Sequence, residues 1–383
     1  SRPQSGHRWA MDSNSVQLNA FGKQLLVKSG LLDDPGSWYY TAPERLGPIR
    51  AYFMGSESQN TVLVDGFSQS IPRTGGTYYE DVIPARFLTS AQFDFIEGHF
   101  GGDAPAGRAY GGHNFLGNKG DSELIEDVYH ERSVIFVREA GLWIIEDRLQ
   151  SVREHTFTQT WNLHPDFAPD AIHKDPVRGR IRAATASGKQ LHLFQTGNIV
   201  GLDYELYHGL LDEERALGWV AIQQQPHVFT PAADIHVNWR GSGTQQLITV
   251  LLPLETAQSP IPAVETLAGD RHGFAGLRIQ FADGREIDYL SVAEGRRTLQ
   301  SQDIAFHANR LLVMRDGMAT TGLATDAESP ISVRDFTFEL DYTGSTTVVQ
   351  QPLVVPGGFR WVETPAGFSP SYDRAEDGFV STF

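Results

Sequence analysis

Residues 6–30 read GHRWAMDSNSVQLNAFGKQLLVKSG, and this stretch predicts a β-hairpin. Apolar and polar side chains alternate over residues 16–20, as in a strand with one buried face. Residues 21–23, Phe-Gly-Lys, predict the turn, and the apolar residues 25–27 predict the returning strand. Because an apolar hairpin alone is unstable in water, a second sheet must lie beneath it.

His7 stands at the entrance of this predicted hairpin. A rigid sheet can hold an imidazole in a fixed position, and imidazole titrates near neutral pH, which suits acid–base chemistry. The alternative is a surface histidine in a loose N-terminal segment. The residues by themselves leave both interpretations open.

The rest of the chain predicts an all-β protein. Strand patterns recur at a spacing of roughly ten residues, with Gly, Asn and Asp turns between them. Residues 278–292 predict a second hairpin, because Asp283-Gly284 is a strong turn signal between two alternating segments. Turns of helix are expected at residues 121–128 and 210–216. Helix should therefore stay below about 15% of the chain.

The strand pattern favours a large antiparallel β-sandwich followed by a smaller β-sheet domain. The polar segment Ala293-Glu294-Gly295-Arg296-Arg297 is typical of a domain boundary. We therefore expect the sandwich over residues 1–295 and the smaller C-terminal domain over residues 296–383.

Composition excludes several classes of protein. The chain has 383 residues, a formal net charge of −16 and no cysteines. It has no run of about 18 apolar residues, so we expect no membrane span. The negative charge and the lack of a basic reader motif argue against a nucleic-acid partner. Disulfides and cysteine metal sites are excluded. The first residues lack signal-peptide features and an initiating Met, so we expect a mature product or a fragment.

Two loops carry side chains that suit an anionic sugar. Residues 101–121 are glycine-rich, which favours a mobile loop, and they bring cationic, imidazole and phenol groups together. Residues 71–80 carry two neighbouring tyrosines. For residues 101–121 the alternative is a disordered surface excursion. The candidate residues are Tyr78, Tyr79, Arg108, Tyr110 and His113.

Several motifs, in order, resemble the heparinase II/III-like polysaccharide lyases. That family has Gly-His-Gly-His-Ala-Asp, then Leu-Leu-Val-Asp-Pro-Gly, then His-Asn-Thr-Val with a following Asp-Gly, and then a central hairpin. The matching segments here are Gly6-His7, Phe21-Gly22-Lys23, Leu25-Leu26-Val27, residues 60–66, 130–137, 142–149 and 155–165. The resemblance covers roughly residues 6–165. It implies the C-terminal β-supersandwich half of such a lyase.

The resemblance also implies a structural zinc, but the ligand positions differ here. The family ligands correspond to Trp9, Lys28 and Gln59. None of the three is a usual zinc ligand, so we expect no metal there and no cofactor. Lys28 either places an ammonium where the metal's charge would lie or is a solvated lysine. If a zinc binds elsewhere, His99 and His113 are the expected pair.

The activity implied by the resemblance is β-elimination of a uronate-containing anionic polysaccharide or oligosaccharide. The uronate carboxylate must be neutralised before its C5 proton can be removed. A tyrosine or histidine takes that proton, and a tyrosine typically protonates the leaving oxygen. His7 matches the family histidine that lines the cleft, so it is the candidate catalytic residue. Trp9 and Lys28 join the two loops as candidate substrate-binding residues.

The family's main tyrosine belongs to an N-terminal helical toroid, and in this chain Tyr78, Tyr79 and Tyr110 are candidates for it by residue type alone. We therefore expect a toroid as partner, in the same precursor or as a separate chain, and a periplasmic or secreted location. A homodimer stays open.

Two other functions also stay open. One is a non-catalytic carbohydrate-binding or structural β-module. The other is a glycoside hydrolase, which needs two carboxylates about 5 to 9.5 Å apart. For that reaction Glu123, Glu126 and Asp127 are the candidates.

Overall fold

The fold is described from a computed structural model. It describes residues 11–28, 47–69, 86–89, 91–102, 109–111, 124–221, 229–267, 274–293, 297–301, 304–315, 319–325, 328–333, 336–338, 346–352 and 360–363. Among the described residues, strands account for about two thirds and helix for 5%. The predicted all-β class and the low helix content are therefore confirmed.

The described elements are almost all antiparallel strands. In chain order they are β1 (Leu18–Ala20), β2 (Lys23–Leu26), α1 (Gly47–Met54), β3 (Val62–Val64), β4 (Arg86–Thr89), β5 (Phe93–Gly101), β6 (Tyr110–Gly111), β7 (Leu124–Ile125), β8 (Val128–Val137), β9 (Leu142–Asn162), β10 (Phe167–Asp175), β11 (Arg180–Thr185), β12 (Gln190–Gly197), β13 (Asp203–His208), β14 (Leu210–Leu211), β15 (Ala216–Leu217), β16 (Trp219–Val220), β17 (Thr230–Pro231), β18 (Ala233–Leu254), β19 (Ala263–Thr266), β20 (Phe274–Gln280), β21 (Glu286–Val292), β22 (Arg297–Ser301), β23 (Ile304–Ala308), β24 (Arg310–Arg315), β25 (Ala319–Thr325), β26 (Glu328–Val333), β27 (Phe336–Phe338), β28 (Thr346–Pro352) and β29 (Arg360–Glu363). Short 3-10 turns lie at Ser56–Ser58 and Pro176–Arg178.

Sheet I has ten strands and forms the larger layer. Its main path is β10-β11-β12-β18-β9-β8-β5-β4, and β3 and β13 pair with β9 and β18 off this path. The two central strands, β9 and β18, are 21 and 22 residues long. They pair along most of their length, with one register shift between Gly241 and Gly243. The pair β9–β18 therefore forms the centre of sheet I, and the other strands extend the sheet on either side of it.

Sheet II has seven strands in the order β19-β20-β21-β24-β25-β28-β29, and β22-β23-β26-β27 form a further four-stranded sheet. Strands β21 and β24, on either side of residue 295, pair from Glu286 with Arg315 to Ser291 with Arg310. The predicted domain boundary at residue 295 therefore falls between two strands that pair with each other in sheet II. The division into residues 1–295 and 296–383 stays a prediction that this pairing does not support.

Both predicted hairpins are confirmed. Strands β1 and β2 pair around the turn Phe21-Gly22, and Gly22 has a positive φ of 70°. Strands β20 and β21 pair in full register from Phe274 with Val292 to Gln280 with Glu286.

The two expected helical turns are wrong. Within residues 121–128 the described part forms β7 and the start of β8, and residues 210–216 form the β14–β15 hairpin. In that hairpin the Asp212 carboxylate accepts from the backbone N–H groups of Glu214 and Arg215, which closes the turn.

Sheet I has two faces, each with its own core. The hairpin face carries β1 and β2, and the sandwich face packs against sheet II. The hairpin-face core includes Leu18, Leu26, Val64, Trp161 and Leu193. The sandwich-face core includes Phe95, Ile144, Val250, Leu277 and Tyr289. Because side chains alternate along a strand, Glu146 and Asp147 of β9 lie on opposite faces.

A buried ion network joins the two sheets on the sandwich face. Arg310 of β24 donates from Nε to Glu146 at 2.6 Å and also contacts Glu97 and Glu131. Burial alone would raise the pKa of Glu146, but Arg310 and Arg148 outweigh it and hold the pKa below its usual range. Glu146 therefore stays ionised and ties β24 to sheet I.

Candidate functional site

The structure describes two of the eight residues predicted to act on substrate, Lys28 and Tyr110. The other six lie outside the described residues: His7, Trp9, Tyr78, Tyr79, Arg108 and His113. The described chain begins at Met11, shortly after His7. The site is therefore built from the residues that hold the segment following His7 against the hairpin face.

Hydrogen bonds from three parts of the chain fix the turn at Met11–Asn14. The Met11 N–H donates to Met54 O at 3.0 Å, and Ser56 Oγ donates to Met11 O at 2.7 Å. The Ser13 N–H donates to Gln69 Oε1 at 2.9 Å, while Gln69 Nε2 donates back to Ser13 O at 2.9 Å. The turn is therefore held at both Met11 and Ser13.

A single buried amide ties both strands of the hairpin to sheet I. Asn60 Nδ2 donates to Val16 O at 2.7 Å and to Val27 O at 2.9 Å. Its Oδ1 accepts from the Asn162 N–H at 2.6 Å. Asn60 is 1% exposed, so no water can replace a lost bond without a rearrangement. The amide therefore fixes the position of β1 and β2 on the hairpin face.

Beneath the turn, Arg132 forms a buried ion pair with Asp147. Nε and Nη2 of Arg132 donate to the two oxygens of Asp147 at 2.7 and 2.9 Å, and Nη1 donates to Asn14 O at 2.7 Å and Asn60 O at 2.5 Å. Burial alone would raise the pKa of Asp147, but Arg132 and His130 hold it well below its usual range. The guanidinium therefore links the turn, the segment that precedes β3 and the centre of sheet I.

Asp147 has further partners. His130 Nε2 lies 2.6 Å from Asp147 Oδ1, and Gln159 Nε2 donates to Oδ2 at 2.6 Å. Burial lowers the pKa of His130, with Asp147 opposing and Arg132 adding to the effect. We assign the neutral tautomer with the proton on Nε2, which leaves Nδ1 to accept from the Tyr110 hydroxyl at 3.4 Å.

Tyr110 closes this network from the short strand β6, while most of the predicted loop at residues 101–121 lies outside the described residues. Its side chain is 0% exposed, and burial raises the pKa of its hydroxyl. The ring packs edge-on against Phe100 with centroids 5.5 Å apart. This placement in the core does not support direct contact between Tyr110 and a sugar.

Lys28 forms an ion pair with Asp12, which lies in the fixed turn. The ammonium contacts Asp12 Oδ2, and the two side chains are 25% and 16% exposed. Gln59 is fully buried, and its Nε2 donates to Ser58 Oγ at 2.7 Å. An ammonium and an amide do not fit a zinc site. Among the described residues, no three His, Asp or Glu side chains are grouped as a metal would require.

A second polar cluster lies in the middle of β9, beside the register shift with β18, and engages Asp127. Arg153 Nη2 donates to Asp127 Oδ1 at 2.8 Å, and His155 bridges Asp65 Oδ2 (2.7 Å from Nδ1) and Asp127 Oδ1 (3.2 Å from Nε2). The hydrogen bond from Arg153 is the main cause that lowers the pKa of Asp127. A carboxylate held ionised in this way is unsuited to the general acid of a glycoside hydrolase. Glu123 lies outside the described residues.

Sequence reasoning missed Asn14, Arg132 and Asp147. The sequence signal for Arg132 and Asp147 was a charged residue inside a strand predicted to be buried, because a buried charge requires a partner. Arg132 and Asp147 face each other directly in the β8–β9 register.

The comparisons with known proteins agree with this architecture. Residues 2–228 match the family described as heparinase II/III-like, C-terminal. Because this match covers more than half of the chain, the protein belongs to the heparinase II/III-like C-terminal family. No curated protein sequence matches the chain at a significant level.

Two similar solved structures show the same fold. One is heparan sulfate lyase HepC from Pedobacter heparinus, with a TM-score of 0.50 and 13% identity over 75% of this chain and 38% of that chain. The other is a heparinase III, the BT4657 gene product, with a TM-score of 0.50 and 13% identity over 76% of this chain and 38% of that chain. The chain thus spans well under half the length of these proteins.

No helix in the described part of the chain is long and apolar enough to cross a membrane.

Proposed function

We propose that this chain is the β-sandwich half of a polysaccharide lyase that cleaves a uronate-containing polysaccharide by β-elimination. The observation that carries the proposal is the family match over residues 2–228, which begins before His7 and includes the whole fixed turn. The reaction removes the C5 proton of the uronate and breaks the bond from C4 to the leaving oxygen. A C4–C5 double bond forms, and the leaving oxygen takes up a proton.

His7 has the catalytic role in this proposal. An imidazole can donate a hydrogen bond to the uronate carboxylate and stabilise the charge that develops as the C5 proton leaves. The role is supported by the contacts of residues 11–14, which follow His7 in the chain and are held by Met54, Gln69 and Arg132. A group that acts on a transition state must be held in place before the reaction starts.

The remaining catalytic groups come, in this proposal, from a helical half that is part of the same precursor or of a separate chain. The tyrosine that protonates the leaving oxygen would belong to that half. Trp9, Tyr78, Tyr79, Arg108 and His113 are the proposed contacts to the polysaccharide from this chain, and a periplasmic or secreted location suits such a substrate.

The test measures product chemistry with the full-length polypeptide and a panel of heparan sulfate, alginate and polygalacturonate. We expect at least one of them to give products that absorb ultraviolet light through the new double bond. New reducing ends without that absorbance would show hydrolysis instead. Binding without any cleavage of a bound polysaccharide would show a non-catalytic carbohydrate-binding module.

A further inference from the structure

The β10–β11 hairpin presents a row of cations on the sandwich face. In the register of these strands His173 lies opposite Arg182, which lies opposite His192, and Arg180 lies opposite Phe194. Phe194 belongs to the sandwich-face core, so the side chains in register with it point to that face. We call His173, Arg180 and Arg182, all three exposed, the basic strip.

Sheet II ends before it reaches the basic strip. Its edge strand β19 meets sheet I at β12, where Thr266 Oγ1 lies 3.0 Å from Thr196 Oγ1. The neighbouring strands β11 and β10 continue beyond that contact, and their side chains on this face are solvent-exposed at Arg180 and Arg182. The sandwich face of β10 and β11 is therefore left solvent-exposed beside sheet II and carries the basic strip. We call this exposed surface the ledge.

The charge of this ledge is opposite to that of the protein. Residues 173–182 read HKDPVRGRIR, with four Lys or Arg against one Asp, while the whole chain has a net charge of −16. Arg178 pairs with that one acid, Asp175, at 3.1 Å, and Lys174 donates to Tyr204 O on the other side of the strand. The acid of the segment is thus already engaged.

Arg180 and Arg182 lack such partners. Arg180 lies over the Phe194 ring, 5.4 Å from its centroid. In the described ranges no carboxylate forms an ion pair with either arginine. Since the two positions are two residues apart on one strand, their Cα atoms are about 6.6 Å apart. Two guanidinium groups at that spacing can bind one anionic group together or two neighbouring ones.

Arg180 has an acid, Asp175, opposite it on the neighbouring strand, but Arg182 does not. The cross-strand neighbours of Arg182 are His173 and His192, and neither is an acid that would form a stabilising pair with it. Charges that protect an edge from aggregation belong on the edge strand, which is β10. Arg180 and Arg182 lie on β11, whose backbone is paired on both sides. An anionic ligand would supply the opposite charge that Arg182 lacks.

His192 reports the positive potential of the ledge. Burial, then Arg182 and Arg180, lower the pKa of His192 to about 4, and its Nε2 lies 2.8 Å from Gln190 Oε1. The imidazole is therefore neutral at neutral pH. A bound anion would counter the two arginines, so it should raise the pKa of His192.

We propose that the basic strip binds an anionic polysaccharide chain, through its carboxylate or sulfate groups, at a surface separate from the site on the hairpin face. The basic strip binds one part of the polymer while another part of the same polymer occupies the site on the hairpin face. The inference takes the class of ligand, an anionic polysaccharide, from the proposed function. Its test measures binding and requires no catalytic turnover.

The test compares the 383-residue chain with R180A/R182A by calorimetry, using heparin oligosaccharides as the sulfated probe and oligogalacturonates as the carboxylate probe. We expect R180A/R182A to bind at least one probe about tenfold or more weakly, with an unchanged melting temperature, because both side chains are exposed. R180K/R182K should retain most of the binding. The matched control is R215A, whose guanidinium also lies over a ring, that of Tyr207, but is paired with Asp212.

The titration of His192, followed by NMR, provides a second readout. Saturating oligosaccharide should raise the pKa of His192 above its value of about 4 in the free protein. Equal affinity of the parent chain and R180A/R182A, or a His192 titration unchanged by the ligand, would overturn the inference. Binding of inorganic sulfate without binding of either oligosaccharide would also overturn it.

The two proposals fail separately. A chain that binds oligosaccharide through the basic strip, within a full-length protein that forms no unsaturated product, would contradict the proposed lyase activity alone. A lyase whose R180A/R182A variant keeps full oligosaccharide affinity would contradict this inference alone.

Discussion

Replacing Arg132 by Met should strongly destabilise the protein. The side chain is 2% exposed and makes four hydrogen bonds, two to Asp147 and one each to Asn14 O and Asn60 O. Met fills a similar volume but leaves the Asp147 carboxylate without its cation. Removing one partner of a buried ion pair typically costs about 3–5 kcal/mol. His130 and Gln159 still contact Asp147, so we expect the lower end, about 3 kcal/mol.

The assay is thermal and urea unfolding of the 383-residue chain. At roughly 2 °C per kcal/mol for a large domain, the melting temperature should fall by about 6 °C. Arg138→Met is the matched control. Its side chain is 41% exposed and pairs with Asp94 on the surface, so the loss should be below about 1 kcal/mol. Equal losses in the two variants would refute the role given to Arg132.

The same variant should show a distinct pH dependence. In the parent protein the pKa of Asp147 is depressed, so its contribution is present above the unfolded pKa of about 3.9 and is lost as pH falls through the folded value. Without Arg132, burial should raise the pKa of Asp147. The deficit of the variant should then be larger at pH 7 than near pH 4. A deficit independent of pH would mean that lost packing, rather than an unpaired charge, is the cause.

Lys28→Met should lower stability by about 1–3 kcal/mol because the Asp12 carboxylate loses its charged partner, whereas Lys28→Arg should lose less. A chelator should leave the melting temperature of the parent chain unchanged, and a fall with recovery on adding zinc would contradict our account of residues 28 and 59. Arg310→Met should destabilise by about 3–5 kcal/mol, because Glu97, Glu131 and Glu146 lose a shared cation. Burial lowers the pKa of His236, but Asp234 outweighs it and the pKa is raised. The ion pair of protonated His236 with Asp234 therefore stabilises the fold fully below the unfolded pKa of about 6.5, and this contribution is lost as pH rises through the folded pKa. His236→Gln should lower the melting temperature more at pH 6 than at pH 8.

Local patterns predicted the two hairpins because their information is contained in short stretches. The alternation over residues 16–20 and the turn at Asp283-Gly284 are each read within a few residues. The helix α1 was missed, although Pro48 in its first turn and the spacing of Ile49, Tyr52 and Phe53 are typical of a short amphipathic helix.

The partners of the buried charges could not be read from the sequence in the same way. Arg132 and Asp147 meet because β8 and β9 pair in one particular register, and the chain between them does not specify it locally. The contacts of Arg132 with Asn14 O and Asn60 O join segments far apart in the chain. The end of sheet II over β12, which exposes β11, is likewise a tertiary property.

The turnover of His7→Ala in the full-length enzyme tests the central claim most directly. One hydrogen-bond donor to a developing oxyanion is worth about 3–4 kcal/mol. The variant should therefore lose at least about a hundredfold in kcat while its melting temperature stays unchanged. Trp9→Ala is the control, and it should raise KM more than it lowers kcat. Near-normal turnover of His7→Ala would contradict the account, because the catalytic groups would then lie elsewhere.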